Sequence, residues 1–174
     1  MLRVPGDFDL PALFDAVEEQ RTDRGMSWTA LTREIAWTSH GTFERMQATG
    51  AGSCHIVTPL IQWVGRTPES FTHDADGFEG ELLPDPGRGR WRWYWHMPEL
   101  AAAVETRRVE RELSVAELAD LLGTSPAEIE HLAATRYGTT ISFAMRCARF
   151  VERSATSFQW EHDGRGLRWS GRRI

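Results

Sequence analysis

Hydrophobic positions between residues 114 and 132 follow the spacing of two short helices joined by a tight turn. One apolar residue falls on each helical turn, in the series Val115, Leu118, Ala119, Leu122, Ile129 and Leu132. The polar segment Gly123-Thr124-Ser125 interrupts this series. Apolar residues that recur every three or four positions bury one face of a helix. The pattern therefore predicts a helix, a turn and a second helix.

Polar residues at the helix starts support the same prediction. Ser114 is followed three residues later by Glu117, and Ser125 by Glu128. This is the capping-box pattern, in which the serine and the glutamate bond each other's backbone amides. Gly123 suits the left-handed conformation that often ends a helix. We therefore expect both helices to begin at a serine and the first to end at this glycine.

The same pattern occurs 87 residues earlier in the chain. When residues 8–35 are aligned with residues 95–122, nine pairs are identical: Pro11/Pro98, Leu13/Leu100, Ala16/Ala103, Val17/Val104, Glu18/Glu105, Arg21/Arg108, Arg24/Arg111, Ser27/Ser114 and Leu31/Leu118. The earlier copy has one extra residue in its turn, and the offset of 87 returns between residues 63–71 and 150–158. We interpret the chain as a tandem duplication.

Helix signals can be followed through the first copy. We predict a helix from Asp9-Leu10-Pro11 to near Gly25, a second over about 28–36, a third over about 40–49 and a fourth over about 54–64. Thr67 is expected to cap a short fifth helix that has Pro68 in its first position. The expected organisation is a first repeat at 1–75, a linker at 76–94, a second repeat at 95–160 and a basic tail at 161–174.

Arginine and tryptophan alternate after each helical unit, in the segments 88–93 and 165–169. A short β-hairpin after each unit is one interpretation, with Asp163-Gly164 as the turn of the second. In that case the tryptophans pack inward and the arginines face water. In the other interpretation these segments are arms that lie along DNA phosphates or enter a minor groove.

The two-helix pattern resembles the helix-turn-helix of the Xre/Cro-type phage-repressor family. The resemblance implies an all-α protein with two tandem helix-turn-helix bundles of about five helices each, plus short hairpin-like extensions. In this family the second helix of the motif enters the major groove. The implied function is that of a sequence-specific transcriptional regulator. Double-stranded DNA is the implied partner, bound either by a homodimer or by a pseudo-dimeric monomer.

Base-contacting positions of that family can be carried over to the first repeat. They fall on His40, Gly41, Thr42, Glu44 and Arg45. Arginine makes bidentate contacts to guanine, and histidine can donate to a base or a phosphate. Trp28 departs from the family pattern, which has glutamine at this place. It packs either over the sugar-phosphate backbone or on the core, and we favour the core.

The second repeat offers a different surface at the same positions. Its residues there are Pro126, Ala127, Glu128, Glu130 and His131. Carboxylates repel a phosphate groove, although Arg136, Arg146 and Arg149 lie nearby in sequence and could offset this charge. We expect this repeat to read bases poorly and to serve in positioning, dimerisation or partner binding. The candidate backbone contacts elsewhere are the arginines of the arms, Arg90, Arg92, Arg168, Arg172 and Arg173.

The overall charge of the chain is negative, so any DNA-binding surface must be a local patch. The net charge is −5, yet the last 30 residues hold seven arginines against three acidic residues. All 20 basic residues are arginine, which we attribute to coding bias rather than to phosphate recognition. An acidic second repeat also suits a basic protein partner. A protein-interaction module, such as an antitoxin-like adaptor, is therefore the alternative function.

Residues for other kinds of chemistry are sparse. The two cysteines, Cys54 and Cys147, have no neighbouring cysteine and are expected to pack in the core. His73-Asp74 and His162-Asp163 lie in glycine-rich turns without a third ligand. No phosphate-binding glycine loop or nucleophile motif is present. We expect no enzymatic activity, no cofactor, no metal, no membrane segment and a cytoplasmic location.

Overall fold

The structure is a computed structural model that describes residues 6–35, 39–73, 80, 82, 92–135 and 139–162. Its helices are α1 (Leu10–Asp23), α2 (Trp28–Ile35), α3 (His40–Thr49), α4 (Cys54–Val64), α5 (Met97–Glu110), α6 (Val115–Leu122), α7 (Pro126–His131) and α8 (Ile141–Phe150). Two short strands, β1 (Arg92–Trp95) and β2 (Gln159–His162), form the one sheet within the described residues. The all-α class is thereby confirmed. Below, residues 6–73 are the first half and residues 92–162 the second half.

Helices of the first half begin and end close to the predicted residues. The Asp9 side chain accepts a hydrogen bond from the Ala12 amide at 3.0 Å and so caps α1. Pro11 occupies the first turn of α1, where an amide proton is not needed. One prediction was wrong in detail. The segment Pro68–Phe71 is a single 3-10 turn, and the side chain of Thr67 makes no capping hydrogen bond.

Both predicted capping boxes of the second half are present. Ser114 and Glu117 bond each other's backbone amides at the start of α6, and Ser125 and Glu128 do the same at the start of α7. Gly123 ends α6 with a φ of 59°, in the left-handed region that glycine adopts without strain. α7 is only six residues long and continues as a 3-10 turn, Leu132–Ala134.

Glu117→Ala provides a test of the first capping box. Hydrogen bonds from the hydroxyl and the amide of Ser114 lower the pKa of the Glu117 carboxyl below its usual 4.5. Such a carboxylate stabilises the folded state above its unfolded pKa, and this contribution is lost as the pH falls through the folded pKa. We expect the variant to melt at a lower temperature at neutral pH, with a difference that shrinks below pH 4.5.

Thermal unfolding followed by circular dichroism at a series of pH values measures this difference. Glu19→Ala is the control, because Glu19 is an exposed glutamate of α1 that takes part in no capping box. A melting difference for Glu117→Ala that stays constant as the pH falls would contradict the role of its charge.

The two described strands pair with each other across the chain, whereas we had predicted a local hairpin after each helical unit; most of the predicted hairpin segments, 88–91 and 165–169, lie outside the described residues. β2 pairs antiparallel with β1, which precedes α5, in a register that places Trp95 opposite Gln159 and Arg92 opposite His162. The described strand after the second unit therefore pairs with the strand before it. Asp163-Gly164, the predicted hairpin turn, lies outside the described residues.

In the first half, too, the segment before the helices pairs with the segment after them. An isolated antiparallel bridge joins Phe8 to Thr72, which are the positions 87 residues before Trp95 and Gln159. The backbone bond from the Asp9 amide to the Phe71 carbonyl likewise matches that from His96 to Phe158. In each half, the segments that lead into and out of the helices are hydrogen-bonded to each other.

The two halves meet through reciprocal backbone hydrogen bonds. The Cys54 amide donates to the Thr139 carbonyl at 2.9 Å, and the Ile141 amide donates to the Gly52 carbonyl at 2.8 Å. Both donors and both acceptors are related by the offset of 87, and the bridge between them joins Ser53 to Thr140, an equivalent pair. Reciprocal contacts between equivalent residues are what a two-fold interface between identical subunits shows. Here both sets of residues belong to one chain.

Side chains from both halves share one buried cluster. α4 packs against α8, and both cysteines are buried in these helices, as predicted. The indole nitrogen of Trp95 in β1 donates to the Thr58 hydroxyl in α4 at 3.0 Å. The buried Glu69 carboxylate of the first half accepts from the Ala155 amide of the second half at 2.6 Å. The halves are therefore joined by apolar and polar contacts alike.

Candidate nucleic-acid interface

α3 is the helix that the family resemblance assigns to base reading. Its side chains divide by exposure, because Phe43 and Met46 are buried while His40, Glu44 and Arg45 are exposed. The Ser39 side chain accepts from the Thr42 amide at 3.3 Å and lies 3.0 Å from the Thr42 hydroxyl. The predicted contact residues are thus brought together on one helix. Thr42 differs from the others in being half-buried and bonded to the cap.

Trp28 of α2 packs against two aromatic rings of α3. Its ring centroid lies 5.2 Å from that of Phe43 and 5.5 Å from that of His40. The Arg21 guanidinium from α1 lies over the Trp28 ring at 5.1 Å. The side chain is half-buried and packs against the core. The favoured sequence interpretation, a core role, therefore describes its position.

His40 is held on two sides. Its ring contacts Trp28, and its Nδ1 lies 3.6 Å from an oxygen of Glu44, one turn along α3. About half of the His40 side chain remains exposed, at 51%. Because Nδ1 faces Glu44, the other ring nitrogen, Nε2, is the one that points away from this contact. The first turn of α3 thus carries a partly exposed imidazole that contacts both Trp28 and Glu44.

Two arginines near α3 have no ion pair with any described residue. Arg45 is exposed on α3, and Arg33 is exposed on α2, which packs against α3. By contrast, Arg21 pairs with Glu18 and Arg24 with Glu34. Sequence reasoning missed Arg33. The sequence indicates the position of Arg33, because Leu31 and Ile35 share the buried face of α2. A residue midway between them lies on the opposite, outward side of the helix.

The corresponding surface of the second half is acidic. Exposed carboxylates lie on α6 and α7, at Glu117, Asp120, Glu128 and Glu130. The pKa of the Glu128 carboxyl is lowered, mainly by a hydrogen bond from the Thr124 hydroxyl. The Nδ1 atom of His131 is 2.7 Å from the Ala127 carbonyl of its own helix and is thereby occupied. This surface offers no arginine among its described residues.

Most of the predicted backbone contacts lie outside the described residues. They are Arg90, Arg136, Arg168, Arg172 and Arg173. Arg92 begins β1 and pairs through its backbone with His162. This places Arg92 in a sheet rather than in an arm that leaves the folded body. Its backbone position is fixed by the pairing with β2.

The described residues also bear on other kinds of site. They contain no group of three or more His, Cys, Asp or Glu placed to hold a metal ion. No described helix is both long enough and apolar enough to cross a membrane. His73, predicted to lie in a turn, has its Nε2 3.2 Å from a carboxylate oxygen of Asp9. That pair joins the two ends of the first half.

Comparison of the chain with protein-family models, with curated proteins and with solved structures finds no match. No family name therefore comes from these comparisons. What the chain binds has to be inferred from its own side chains and their geometry.

Proposed function

We propose that this chain is a sequence-specific DNA-binding regulator whose helix α3 enters the major groove. The observation that carries the proposal is the exposed Arg45 on α3, without an ion pair among the described residues. α3 is capped at Ser39 and fixed to α2 through Trp28. A helix held in this way, with an exposed arginine that no described residue pairs with, suits bidentate recognition of a guanine edge.

Supporting contacts come from the same half. The partly exposed imidazole of His40, in the first turn of α3, serves a base or a phosphate. Arg33 on the neighbouring helix is suited to a phosphate, which fixes the position of the protein without reading sequence. Amides in the first turns of α2 and α3 add phosphate donors at helix N-termini. One half therefore carries both base reading and positioning.

The second half has a different role in DNA binding from the first half. The four exposed carboxylates on α6 and α7 disfavour close approach of α7 to phosphates. The two halves are hydrogen-bonded to each other at equivalent residues, and in this proposal one chain presents one reading surface and one non-reading surface. We therefore propose that a single chain binds an asymmetric site. A palindromic site would require two chains.

Selection of bound sequences from random duplex DNA tests this proposal. We expect one informative segment bound by one chain, with a retarded band that is lost as salt rises. The same selection with Glu128→Gln and Glu130→Gln is expected to return the same preferred sequence, with modestly tighter non-specific binding. Two equally informative half-sites, or a changed preference in the double variant, would show that the second half reads bases.

A separate prediction concerns Arg92 of β1 together with the arginines of the predicted arms, Arg90, Arg168, Arg172 and Arg173. Their neutralisation to glutamine is expected to weaken binding to all sequences alike, because phosphate contacts carry no sequence information. Each lost phosphate contact removes about 0.9 from the slope of log K against log salt concentration. Removal of two real contacts should therefore flatten the slope by nearly two units. An unchanged slope would assign these residues to folding or solubility.

A second candidate function is that of a protein-interaction module. The acidic surface of α6 and α7 favours it, together with Leu121, whose side chain is 53% exposed on α6. An exposed leucine among carboxylates suits a basic partner that also carries an apolar residue. Co-purification with one protein, together with no retention of any selected DNA, would support this function over the first.

A further inference from the structure

His96 and Asp9 occupy equivalent positions in the two halves, since they are 87 residues apart. Each residue directly precedes the first helix of its half and caps it with its side chain. The Asp9 carboxylate accepts a hydrogen bond from the Ala12 amide at 3.0 Å, and the Nδ1 atom of His96 accepts one from the Glu99 amide at 3.1 Å. Aspartate is among the residues preferred as helix caps, and histidine is not. The two halves therefore use different chemistry for the same cap.

The hydrogen bond to His96 fixes the protonation state of its ring. An amide donates to a ring nitrogen only when that nitrogen carries no proton. Nδ1 of His96 is therefore unprotonated, and the proton of the neutral ring lies on Nε2. A proton added to Nδ1 would point at the Glu99 amide and abolish the cap. It would also place a positive charge at the start of α5, where the helix dipole disfavours cations. The Asp9 carboxylate, by contrast, keeps its acceptor oxygens down to about pH 4.

Among the described residues, few charged groups face the His96 ring. The Glu99 carboxylate has one oxygen 3.9 Å from Nδ1, beyond hydrogen-bonding distance, and Arg153 pairs with its other oxygen at 3.5 Å. The 3-10 turn Ala155–Phe158, whose last carbonyl accepts from the His96 amide, contains no charged residue. The described side chains of β1 include one titratable group, the phenol of Tyr94, which stays neutral near pH 7. Glu99 is therefore the one group of this set that favours a charged ring.

Burial of the half-exposed ring lowers the pKa of His96 below its ordinary value of 6.5, although Glu99 opposes this shift. As the pH falls, a histidine of this kind is protonated first in the unfolded state. The neutral ring therefore stabilises the folded state in full above pH 6.5, and this contribution is lost as the pH falls through the lowered pKa. The cap acts in the same direction, because its hydrogen bond requires the neutral ring.

We propose that His96 is an acid-sensitive cap that releases the first turn of α5 when Nδ1 gains a proton. The release occurs beside the pairing of β1 with β2, because the His96 amide donates to the Phe158 carbonyl at 2.7 Å. It also adjoins Trp95, whose indole binds Thr58 of the first half. Mild acid therefore loosens the second half close to its contact with the first, while the Asp9 cap stays intact. This response is independent of what the protein binds.

His96→Asp in the full chain tests the response, because aspartate is the residue that caps α1 and does not titrate near neutral pH. Between about pH 8 and about pH 5, the wild-type melting temperature is expected to fall about 2–4 °C further than that of the variant. This is the usual effect of one lost cap in a chain of this length. Thermal unfolding followed by circular dichroism measures both proteins. Equal falls in the two proteins would overturn the proposal.

His131 provides the matched control, because its Nδ1 lies 2.7 Å from the Ala127 carbonyl and donates to it in either protonation state. His131→Asn is therefore expected to keep the wild-type dependence of melting temperature on pH. Nitrogen chemical shifts of the two imidazole rings test the cap without any substitution. At neutral pH we expect the proton of His96 on Nε2 and that of His131 on Nδ1. A proton on Nδ1 of His96, or a pH dependence that His131→Asn removes as fully as His96→Asp, would contradict the proposal.

Discussion

Arg45→Ala is expected to weaken binding to the selected DNA sequence by about 1–3 kcal/mol, roughly 5- to 160-fold in affinity. The reason is the loss of a bidentate contact from a side chain that no described residue pairs with in the free protein. The preference at one base position should relax, while binding to unrelated DNA changes little. Titration of the selected duplex and of single-position variants of it measures both effects.

Gln47→Ala is the matched control, because Gln47 is also exposed on α3 and is not among the predicted contacts. His40→Ala should have a smaller effect than Arg45→Ala, since one ring nitrogen provides a single contact. Unchanged affinity and unchanged base preference after Arg45→Ala would remove the first half from base reading.

Trp95→Ala is expected to destabilise the entire chain by about 3–5 kcal/mol, the usual cost of deleting a large buried aromatic side chain. Trp95 is 8% exposed, belongs to the second half and donates a hydrogen bond to Thr58 of the first half. Because the buried cluster spans both halves, the loss should lower one common transition. The corresponding fall in melting temperature is roughly 6–20 °C for a chain of this length.

Circular dichroism and calorimetry together measure the size and the number of transitions. Val109→Ala is the control, since Val109 is 58% exposed on α5 and its truncation removes little buried area. Two transitions in the wild-type protein, of which Trp95→Ala moves only one, would show that the halves unfold independently.

Helices and their caps were accessible from the sequence because both depend on near neighbours. The capping boxes at Ser114 and Ser125 involve residues three positions apart. The apolar spacing of α3 likewise places Phe43 and Met46 in the core and Arg45 outside. The predicted contact residues of the first repeat share α3 because they are near neighbours in the chain.

Long-range pairing was not accessible in the same way. β1 and β2 are more than 60 residues apart, and a short run of arginine and tryptophan is equally compatible with a local hairpin. The contact between Trp28 and His40 depends on how α2 packs on α3. Periodicity indicates which face of a helix is buried, but it does not identify the element that covers it.

The reciprocal hydrogen bonds around Ser53 and Thr140 join two surfaces of one chain, so dilution of the protein does not separate these surfaces. Separate subunits joined by such an interface dissociate as their concentration falls, and their stability depends on concentration. Here a covalent connection holds the two surfaces together at any concentration. A ligand that contacts both halves therefore binds two surfaces that are already assembled. The amount of ligand bound should then depend on the first power of the protein concentration. Each half is also free to diverge in sequence without the risk of pairing with the wrong subunit.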